Sequence, residues 1–342
     1  MKTISHALMK ALRRGVQRCS SDALERLCGF VAGQWNGASG GFCDRAGKPD
    51  LYYTQFGLML ARALRMKTDV SAVEKFCRAH DVNSFDLVHA SCFARSLLLV
   101  RPWLTWLQRR RIRRDCESAL AALIRAAQTP YEQFLALTLA QDVGLPFEKK
   151  PLDAYRAADG LYANVPEAAE GGVNATASAI LTELLECGGL TPLFRYERSS
   201  YRARPQRAGI NGSAFRVVLQ APVRYAHTLF REVGAIAPFR KRCQATALQS
   251  AVHALAEQER GDGSFCANVS TSFPDILSTA SARFALHVAG MRPRNDAKIF
   301  VEECFVEDAG GFAASPDAET PDLEYTVYGI ILMGMEAEEV RS

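Results

Sequence analysis

The feature that most constrains the fold of this chain is a segment that returns along it at intervals of about forty residues. Residues 40–64 read GGFCDRAGKPDLYYTQFGLMLARAL, and residues 310–334 read GGFAASPDAETPDLEYTVYGIILMG. Both contain a glycine pair and a phenylalanine, then a spacer, then Pro-Asp-Leu-x-Tyr-Thr and an apolar run. Residues 261–286, GDGSFCANVSTSFPDILSTASARFAL, form a third copy. Repetition at this spacing predicts a fold built from one supersecondary unit.

Three weaker copies extend the pattern. Residues 85–99 place Asp86 at the aspartate position, residues 170–185 place Asn174 there, and residues 129–140 form a degenerate sixth copy. The run that follows each polar position is apolar almost all round and rich in small residues, which is typical of a helix buried on several faces. An amphipathic segment precedes each strong copy. The unit is therefore predicted to be a helical hairpin with one inner and one outer helix.

Six such hairpins can close into a ring. We therefore expect an all-α fold in which about six helical hairpin repeats form a double-layered helical ring around a central cavity. No internal linker divides the chain, so residues 1–342 are expected to form a single domain. Residues 190–240 break the pattern with a basic segment and a short β-like run, and we interpret them as an insertion or a divergent repeat.

Charge and composition exclude several classes of protein. The 41 basic and 37 acidic residues leave a formal charge of +4, which is too small to indicate a nucleic-acid-binding protein. Residues 194–207 interleave aromatic residues with arginines but carry no nucleic-acid fold signature, so no nucleic-acid partner is expected. The ten cysteines form no C-x-x-C pair, which fits a reducing compartment. With neither a secretory signal nor an apolar run long enough to span a membrane, the sequence predicts a cytoplasmic protein.

The repeats resemble those shared by protein prenyltransferase β-subunits and squalene-hopene-type terpene cyclases, the prenyltransferase and squalene oxidase repeats. The resemblance rests on the Gly-Gly-Phe turn, the Asp-x-x-Tyr-Thr motif and the small, apolar helix that follows, and it covers nearly the whole chain outside about 190–240. It implies an α/α toroid whose cavity holds an isoprenoid chain against aromatic walls. The glycines of the turns identify the ring rather than the reaction, because glycine allows the positive φ that a tight turn needs.

The prenyltransferase branch of the resemblance implies a zinc site made of an aspartate, a cysteine two residues later and a histidine in the next repeat. Asp50 matches the aspartate, Tyr53 the tyrosine that follows the cysteine, and His89 the histidine. Tyr52 stands at the position of the cysteine, and a phenol is a poor zinc ligand because its pKa lies near 10. Cys92 falls on the same helix face as His89 and could supply the thiolate. Asp50, His89 and Cys92 are therefore the metal candidates, and the expected cofactor is zinc or none.

The resemblance also implies a binding site for the substrate. Arg45 and Lys48 resemble the family's Arg-x-x-Lys, which helps to hold a diphosphate, so they are predicted to bind an anionic head group. Tyr52, Tyr53 and Tyr325 are predicted to line the path of the apolar chain, where ring faces can stabilise a carbocation. Ordinary core packing explains these tyrosines equally well.

The cyclase branch implies an acid that protonates the substrate, although its Asp-x-Asp-Asp signature is absent here. A single aspartate whose pKa is raised by burial could serve instead, and Asp275 and Asp322 are the candidates. Asp50 and His89 are further candidates for acid or base catalysis. Asp50, Asp275 and Asp322 also each follow a proline at the start of a predicted helix, where a carboxylate caps the first N–H groups. Capping alone, and for His89 a place in the core, are therefore the competing interpretations.

A tryptophan-containing stretch followed by the basic residues 108–115 allows two interpretations. It predicts either a peripheral contact with an acidic membrane, anchored by Trp103 and Trp106, or a solvated helix face.

The leading hypothesis is an enzyme similar to prenyltransferases or terpene cyclases that binds an isoprenoid diphosphate, or another long apolar substrate, in its central cavity. The alternative is a non-catalytic toroid that binds a lipid or a protein partner, since the thiolate and the acid signature of the two enzyme branches are missing. The pattern favours the enzyme and does not specify a reaction.

Overall fold

The computed structural model describes residues 3–186 and 246–339, and within these ranges the chain is mostly helical. The α-helices are α1 Ile4–Val16, α2 Ser21–Gly33, α3 Leu51–Ala63, α4 Val70–Arg78, α5 Leu87–Val100, α6 Thr105–Ala126, α7 Pro130–Val143, α8 Val173–Glu186, α9 Thr246–Glu257, α10 Ile276–Val288, α11 Lys298–Glu303 and α12 Leu323–Glu339. Two antiparallel hairpins pair β1 Trp35–Asn36 with β2 Gly41–Phe42 and β3 Phe305–Val306 with β4 Gly311–Phe312. The prediction of a largely helical fold is confirmed, whereas the predicted insertion at about 190–240 lies outside the described residues.

Six helices pack against one another in a cyclic order. α3 contacts α5, α5 contacts α7, α7 contacts α8, α8 contacts α10, α10 contacts α12, and α12 contacts α3 again. The remaining helices other than α1 lie against members of this cycle: α4 packs on α5, α6 on α5 and α7, α9 on α8 and α10, α2 on α3, and α11 on α12.

The burial of the two kinds of helix differs as their sequences predict. In α3 every residue from 54 to 61 is buried, so neighbours must cover this helix on all sides. In α4 the buried residues are Val73, Phe76 and Cys77, which lie three and four positions apart and form a single stripe. Helices of the first kind belong inside the protein, and helices of the second kind cover them.

A recurring set of hydrogen bonds begins four of the six helices in the cycle. At α3 the Thr54 hydroxyl donates to the Asp50 carbonyl at 2.6 Å and accepts the N–H of Phe42 at 2.9 Å, which ties the preceding turn to the helix. The same pair of bonds recurs at the starts of α8, α10 and α12, around Thr176, Thr279 and Thr326. At α8 the carbonyl belongs to Gly172, so Gly172 and not Asn174 occupies the aspartate position, and that part of the sequence alignment is wrong by two residues.

Each of the two β-hairpins packs on a glycine of the helix that follows it, Gly57 in α3 and Gly329 in α12. A Cβ on Gly57 would lie 2.3 Å from the ring of Phe42, and a Cβ on Gly329 would lie 2.6 Å from the ring of Phe312. Each phenylalanine can therefore lie flat on a helix of the cycle only because that helix has no side chain there. These contacts explain the glycine that both strong copies carry after the threonine.

α1 is an addition that the repeat pattern does not predict. It packs along α12 and also contacts α3 and α7. A Cβ on Gly15 would lie 1.9 Å from the Ile330 carbonyl oxygen, and a Cβ on Gly334 would lie 2.1 Å from the Ala11 carbonyl oxygen, so the two backbones touch. The hydroxyl of Ser5 donates to Asp142 at 2.6 Å and fixes α1 to α7.

No helix within residues 3–186 and 246–339 is both long enough and apolar enough to cross a membrane.

Candidate ligand-binding site

The starts of α3 and α12 lie next to each other, and the loop between β2 and α3 joins them. Asp322 is buried, with 4% of its surface exposed, and its Oδ1 accepts the N–H of Tyr325 at 2.8 Å as the N-cap of α12. Its Oδ2 accepts a hydrogen bond from Arg45 Nε at 2.7 Å. The hydroxyl of Tyr53 donates to the same oxygen at 3.4 Å. One carboxylate therefore caps a helix and anchors the loop of a distant segment.

A second pair lies in the first turns of the same two helices. Tyr52 and Glu324 each stand two residues after the capping aspartate, and the Tyr52 hydroxyl donates to Glu324 Oε1. Burial raises the pKa of Glu324 to about 6, and the nearby charge of Asp322 adds to this effect. The pKa of Tyr52 is also raised, first by burial and then by the Glu324 charge, so the phenol stays protonated and acts as the donor. The carboxyl of Glu324 is therefore close to its titration point at neutral pH.

Aromatic rings continue from this pair into the interior. Tyr52 meets Phe56 with ring centroids 5.0 Å apart, and Phe56 meets Tyr328 at 5.9 Å. Tyr131, in the first turn of α7, has 38% of its surface exposed. Burial nevertheless raises the pKa of Tyr131 to about 12, with smaller contributions from the charges of Cys92 and Glu324. Tyr131 on α7 therefore keeps an exposed surface while it lies within the electrostatic reach of Glu324 on α12.

A cluster of paired polar side chains joins α3, α5 and α7. Arg95 on α5 contacts Asp142 at 3.2 Å, Gln55 at 3.2 Å and Thr138 at 3.3 Å. These bonds join α3, α5 and α7, and through Asp142 they include Ser5 of α1. The guanidinium of Arg95 is therefore committed to the structure rather than to a ligand.

The three predicted metal ligands are occupied in other ways. Asp50 accepts the N–H of Tyr53 at 3.0 Å as the N-cap of α3, and His89 Nδ1 lies 2.8 Å from Asp86. Burial raises the pKa of the Cys92 thiol to about 12, so a thiolate is strongly disfavoured. Within residues 3–186 and 246–339 no group of three or more His, Cys, Asp or Glu side chains is arranged to hold a metal ion. As the structure places them, these three side chains do not fit a zinc ion.

The predicted head-group residues have different environments. Arg45 is held by Asp322, and its guanidinium also lies 5.1 Å from the centre of the Tyr325 ring. Lys48 is exposed on the same loop, whose shape is set by Asp44, because one oxygen of Asp44 accepts the N–H groups of Ala46 and Lys48. Only Lys48 keeps its charge available at the surface of this loop.

The predicted acids also differ. Asp275 caps α10 by accepting the N–H of Ser278 at 2.7 Å, and burial raises its pKa. Asp322 makes its cap while bonded to Arg45. The capping interpretation of Asp50, Asp275 and Asp322 is therefore confirmed, whereas a catalytic role for any of them stays a prediction.

Sequence reasoning missed Glu324 and Tyr131. The signal for Glu324 was present, because an acidic residue two positions after the cap falls inside a turn that is otherwise apolar. Tyr131 gave no signal, since residues 129–140 were the weakest copy of the repeat.

The tryptophan-rich surface lies apart from this site. Trp103 and Trp106 are exposed to 68% and 65%, and Arg110 and Arg111 beside them are also exposed. The peripheral membrane contact stays a prediction that this surface permits.

Comparison with models of known protein families gives no match for this chain. Comparison with curated proteins gives none either. The described residues therefore define a largely helical protein with cyclically packed helices, and its likeness to prenyltransferases and terpene cyclases rests on the sequence motifs alone.

Proposed function

We propose that the chain is an α/α toroid of the prenyltransferase and terpene-cyclase type that binds an isoprenoid, or a similar long apolar molecule, in its centre. The proposal for the fold is supported by the cyclic order of α3, α5, α7, α8, α10 and α12. In such a ring each inner helix has two neighbours of the same kind, which explains why these helices are apolar almost all round.

The contacts between successive repeats support closure of the ring. The N–H of Val173 at the start of α8 donates to Ala267, in the loop before α10, and the N–H of Ile276 at the start of α10 donates to Ala314, in the loop before α12, both at 2.8 Å. The start of α12 receives Arg45, from the loop before α3. At α8, α10 and α12 the start of the helix therefore contacts the loop that precedes the next helix of the cycle, through a backbone bond at α8 and α10 and through an ion pair at α12.

The single observation that carries the proposed binding activity is the environment of Tyr131. Its ring is accessible and yet its pKa is raised by burial, as expected for the wall of an enclosed cavity. Tyr52, Phe56 and Tyr328 extend this wall as a chain of ring contacts. Moving an apolar chain from water into such a space contributes about 0.8 kcal/mol per methylene group.

Among enzymatic activities, we favour a cyclase-like protonation over a zinc-dependent transfer. Asp50, His89 and Cys92 do not form a zinc site, and the pairing of Arg45 with Asp322 leaves little of its charge for a diphosphate. A general acid must carry a proton near neutral pH, and Glu324 and Asp275 both have raised pKa values. The second candidate is a non-catalytic toroid that binds a lipid or a protein, which needs the same cavity or the same ring but no acid.

Native mass spectrometry with matched ligands tests the proposal. Farnesol and geranylgeraniol should bind, and their diphosphates should bind with similar affinity, because Arg45 is already paired. Tyr131→Ala should weaken binding about fivefold by removing part of the wall, whereas the surface control Trp103→Ala should not. A strong preference for the diphosphates that disappears in Arg45→Ala/Lys48→Ala would instead support the head-group site. Failure of every apolar ligand to bind the folded protein would contradict the proposal.

A further inference from the structure

We propose that Trp103, Trp106, Arg110 and Arg111, which we call the tryptophan–arginine surface, dock the protein on a membrane that contains anionic phospholipids. The two indoles enter the head-group layer, and the two guanidinium groups contact the phosphates and carboxylates of the lipids. The inference does not depend on the proposed function, because this surface lies outside the candidate ligand-binding site.

The first argument is the direction in which α6 presents its residues. The residues of this helix that face the protein recur every four positions, and they are Gln108, Ile112, Cys116, Leu120 and Ile124. Trp106 and Arg110 each lie two positions from this stripe, which at 3.6 residues per turn is the opposite face of the helix. Trp103 lies three residues before Trp106, in the short 3₁₀ turn Pro102–Leu104 that leads into α6. Both indoles have about two thirds of their surface exposed, so the helix carries them outwards.

The second argument is that these side chains have no partners in the protein. Within the described part of the chain neither indole makes a hydrogen bond or a ring contact, and neither Arg110 nor Arg111 forms an ion pair. The neighbouring Arg109 differs, because its Nε donates to the Asp142 carbonyl at 2.6 Å. The structure therefore uses Arg109 and leaves two exposed indoles and two exposed cations on the surface.

The third argument is the charge of the segment. Residues 105–117 contain five arginines and two acidic residues, an excess of three positive charges. The start of α6 adds to this potential, because no side chain caps it and its first turn has no acidic residue. A second copy of the same surface would repel the first, so the expected partner is anionic.

Among anionic partners, a lipid surface matches both kinds of side chain. It supplies negative charge to the arginines and an interfacial layer in which amphipathic indole rings are stable. Two protruding indoles can enter a fluid head-group layer without a preformed pocket, whereas a protein partner must provide one. The combination therefore favours a membrane over a soluble acidic protein.

The location of the surface separates it from the candidate ligand-binding site. Arg62 near the end of α3 donates to the Leu99 carbonyl near the end of α5 at 3.1 Å, and α6 follows directly after α5. Arg113 of α6 donates to the Gly144 carbonyl, just after α7, at 3.5 Å. The tryptophan–arginine surface thus lies where α3, α5 and α7 end, about 20 Å along α3 from the helix starts that form the ligand-binding site. Docking through this surface leaves those helix starts uncovered.

Vesicle titration followed by intrinsic fluorescence tests the proposal. Two of the three tryptophans belong to the surface, and the third, Trp35, packs against Phe42 with ring centroids 5.1 Å apart. Phosphatidylcholine vesicles with about 30% phosphatidylserine should bind the protein and shift its emission to shorter wavelength, because the indoles leave water. Vesicles of phosphatidylcholine alone should bind about tenfold more weakly, and salt at about 0.5 M should remove most of this difference.

Matched arginine variants assign the charge dependence to this surface. Arg110→Gln/Arg111→Gln should bind the anionic vesicles about tenfold more weakly than wild type. Arg125→Gln/Lys298→Gln removes the same charge at the far end of α6 and on α11, and it should bind like wild type. Circular dichroism should show unchanged helix content in both variants, because the replaced side chains lie at the surface.

The tryptophans give the second test. Trp103→Ala/Trp106→Ala should lose the fluorescence shift and bind the anionic vesicles about tenfold more weakly, measured by flotation of the vesicles. Binding equal to wild type in this variant or in Arg110→Gln/Arg111→Gln would overturn the proposal, as would equal binding of the wild type to both kinds of vesicle.

The remaining outcomes also decide the proposal. Failure to bind vesicles together with binding of polyglutamate would overturn it in favour of an acidic protein partner, and failure to bind either would overturn it without a replacement. Binding of farnesol, measured on the same preparation, reports on the proposed function separately, so the two can fail independently.

Discussion

Asp275 and Asp322 begin α10 and α12 in the same way and differ in one oxygen. Each Oδ1 caps its helix through the N–H three residues later, and each backbone carbonyl accepts the hydroxyl of a threonine four residues later. The Oδ2 of Asp322 also receives Arg45 and Tyr53. Within residues 3–186 and 246–339 no cation pairs with Asp275, and burial raises its pKa.

The difference separates the contacts that several helix starts share from the contacts that one helix start makes alone. The aspartate cap and the threonine recur together at α3, α10 and α12 because each of these starts joins a turn to a buried helix. The neighbouring loop differs at the two helix starts. Beside α10, the loop before α12 accepts the N–H of Ile276 at the Ala314 carbonyl, whereas beside α12 the loop before α3 places the guanidinium of Arg45 on the second oxygen of Asp322. Conclusions about function must therefore be drawn from the second oxygen and from the positions that follow it.

Replacement of the two aspartates gives the largest expected effect. Asp275→Ala should lower the free energy of unfolding by about 1 kcal/mol, the usual effect of losing a cap. Asp322→Ala should lower it by about 2–3 kcal/mol, because the partners of its buried second oxygen are lost as well. Urea unfolding at pH 7 measures both values, and equal losses would contradict the distinction between the two sites.

The threonines test the shared part of the repeat. Thr279→Val and Thr326→Val keep the shape of the side chain but leave the N–H groups of Phe265 and Phe312 without their acceptors. Both threonines are fully buried, so each variant should lose about 1–2 kcal/mol, and the two losses should agree. Unequal losses would show that the two helix starts differ in stability although they make the same hydrogen bonds.

Glu324, two residues after the capping Asp322, should make the stability of the protein depend on pH. In the folded protein the pKa of Glu324 is about 6, above its ordinary value of 4.5. The folded protein therefore binds this proton more tightly than the unfolded chain does. The resulting stability is present below about pH 4.5 and is lost as the pH rises through 6.

The free energy of unfolding of Glu324→Gln, relative to that of the wild type, should therefore rise by about 1–2 kcal/mol when the pH is raised from 4.5 to 7.5. Urea unfolding at both pH values measures this difference. Glu319→Gln, at an exposed position, serves as the control and should show a much smaller change. If the difference between Glu324→Gln and wild type is the same at both pH values, the pKa of Glu324 is not raised by folding.

The sequence predicts the shared part of this molecule well, because local rules determine it. The repeated proline and aspartate predict the caps of α3, α10 and α12, and all three are present. The repeat also predicts helices buried on all sides, as residues 54–61 are. These features depend only on residues a few positions apart.

The site was harder to predict because long-range contacts assemble it. Arg45 and Asp322 are 277 positions apart, and no spacing rule indicates that they pair. The motif of the resembling family placed Arg45 at a head group and Asp50 with His89 at a metal, whereas the packing assigns Arg45 to Asp322 and His89 to Asp86. Asn174 was aligned by its polarity, but the backbone hydrogen bonds select Gly172.

The smallest expected effect measures the contact that separates Asp322 from Asp275. A double-mutant cycle with Arg45→Ala and Asp322→Asn should give a coupling energy of about 0.5–1 kcal/mol, since Arg45 is half exposed and water screens its charge. Lys48→Ala on the same loop should show no coupling to Asp322→Asn. A coupling near zero for Arg45 would mean that the first repeat meets the last one through packing of α3 on α12 alone. A measurable coupling means that the contact of Arg45 with the second oxygen of Asp322 stabilises the packing of the loop before α3 on the start of α12.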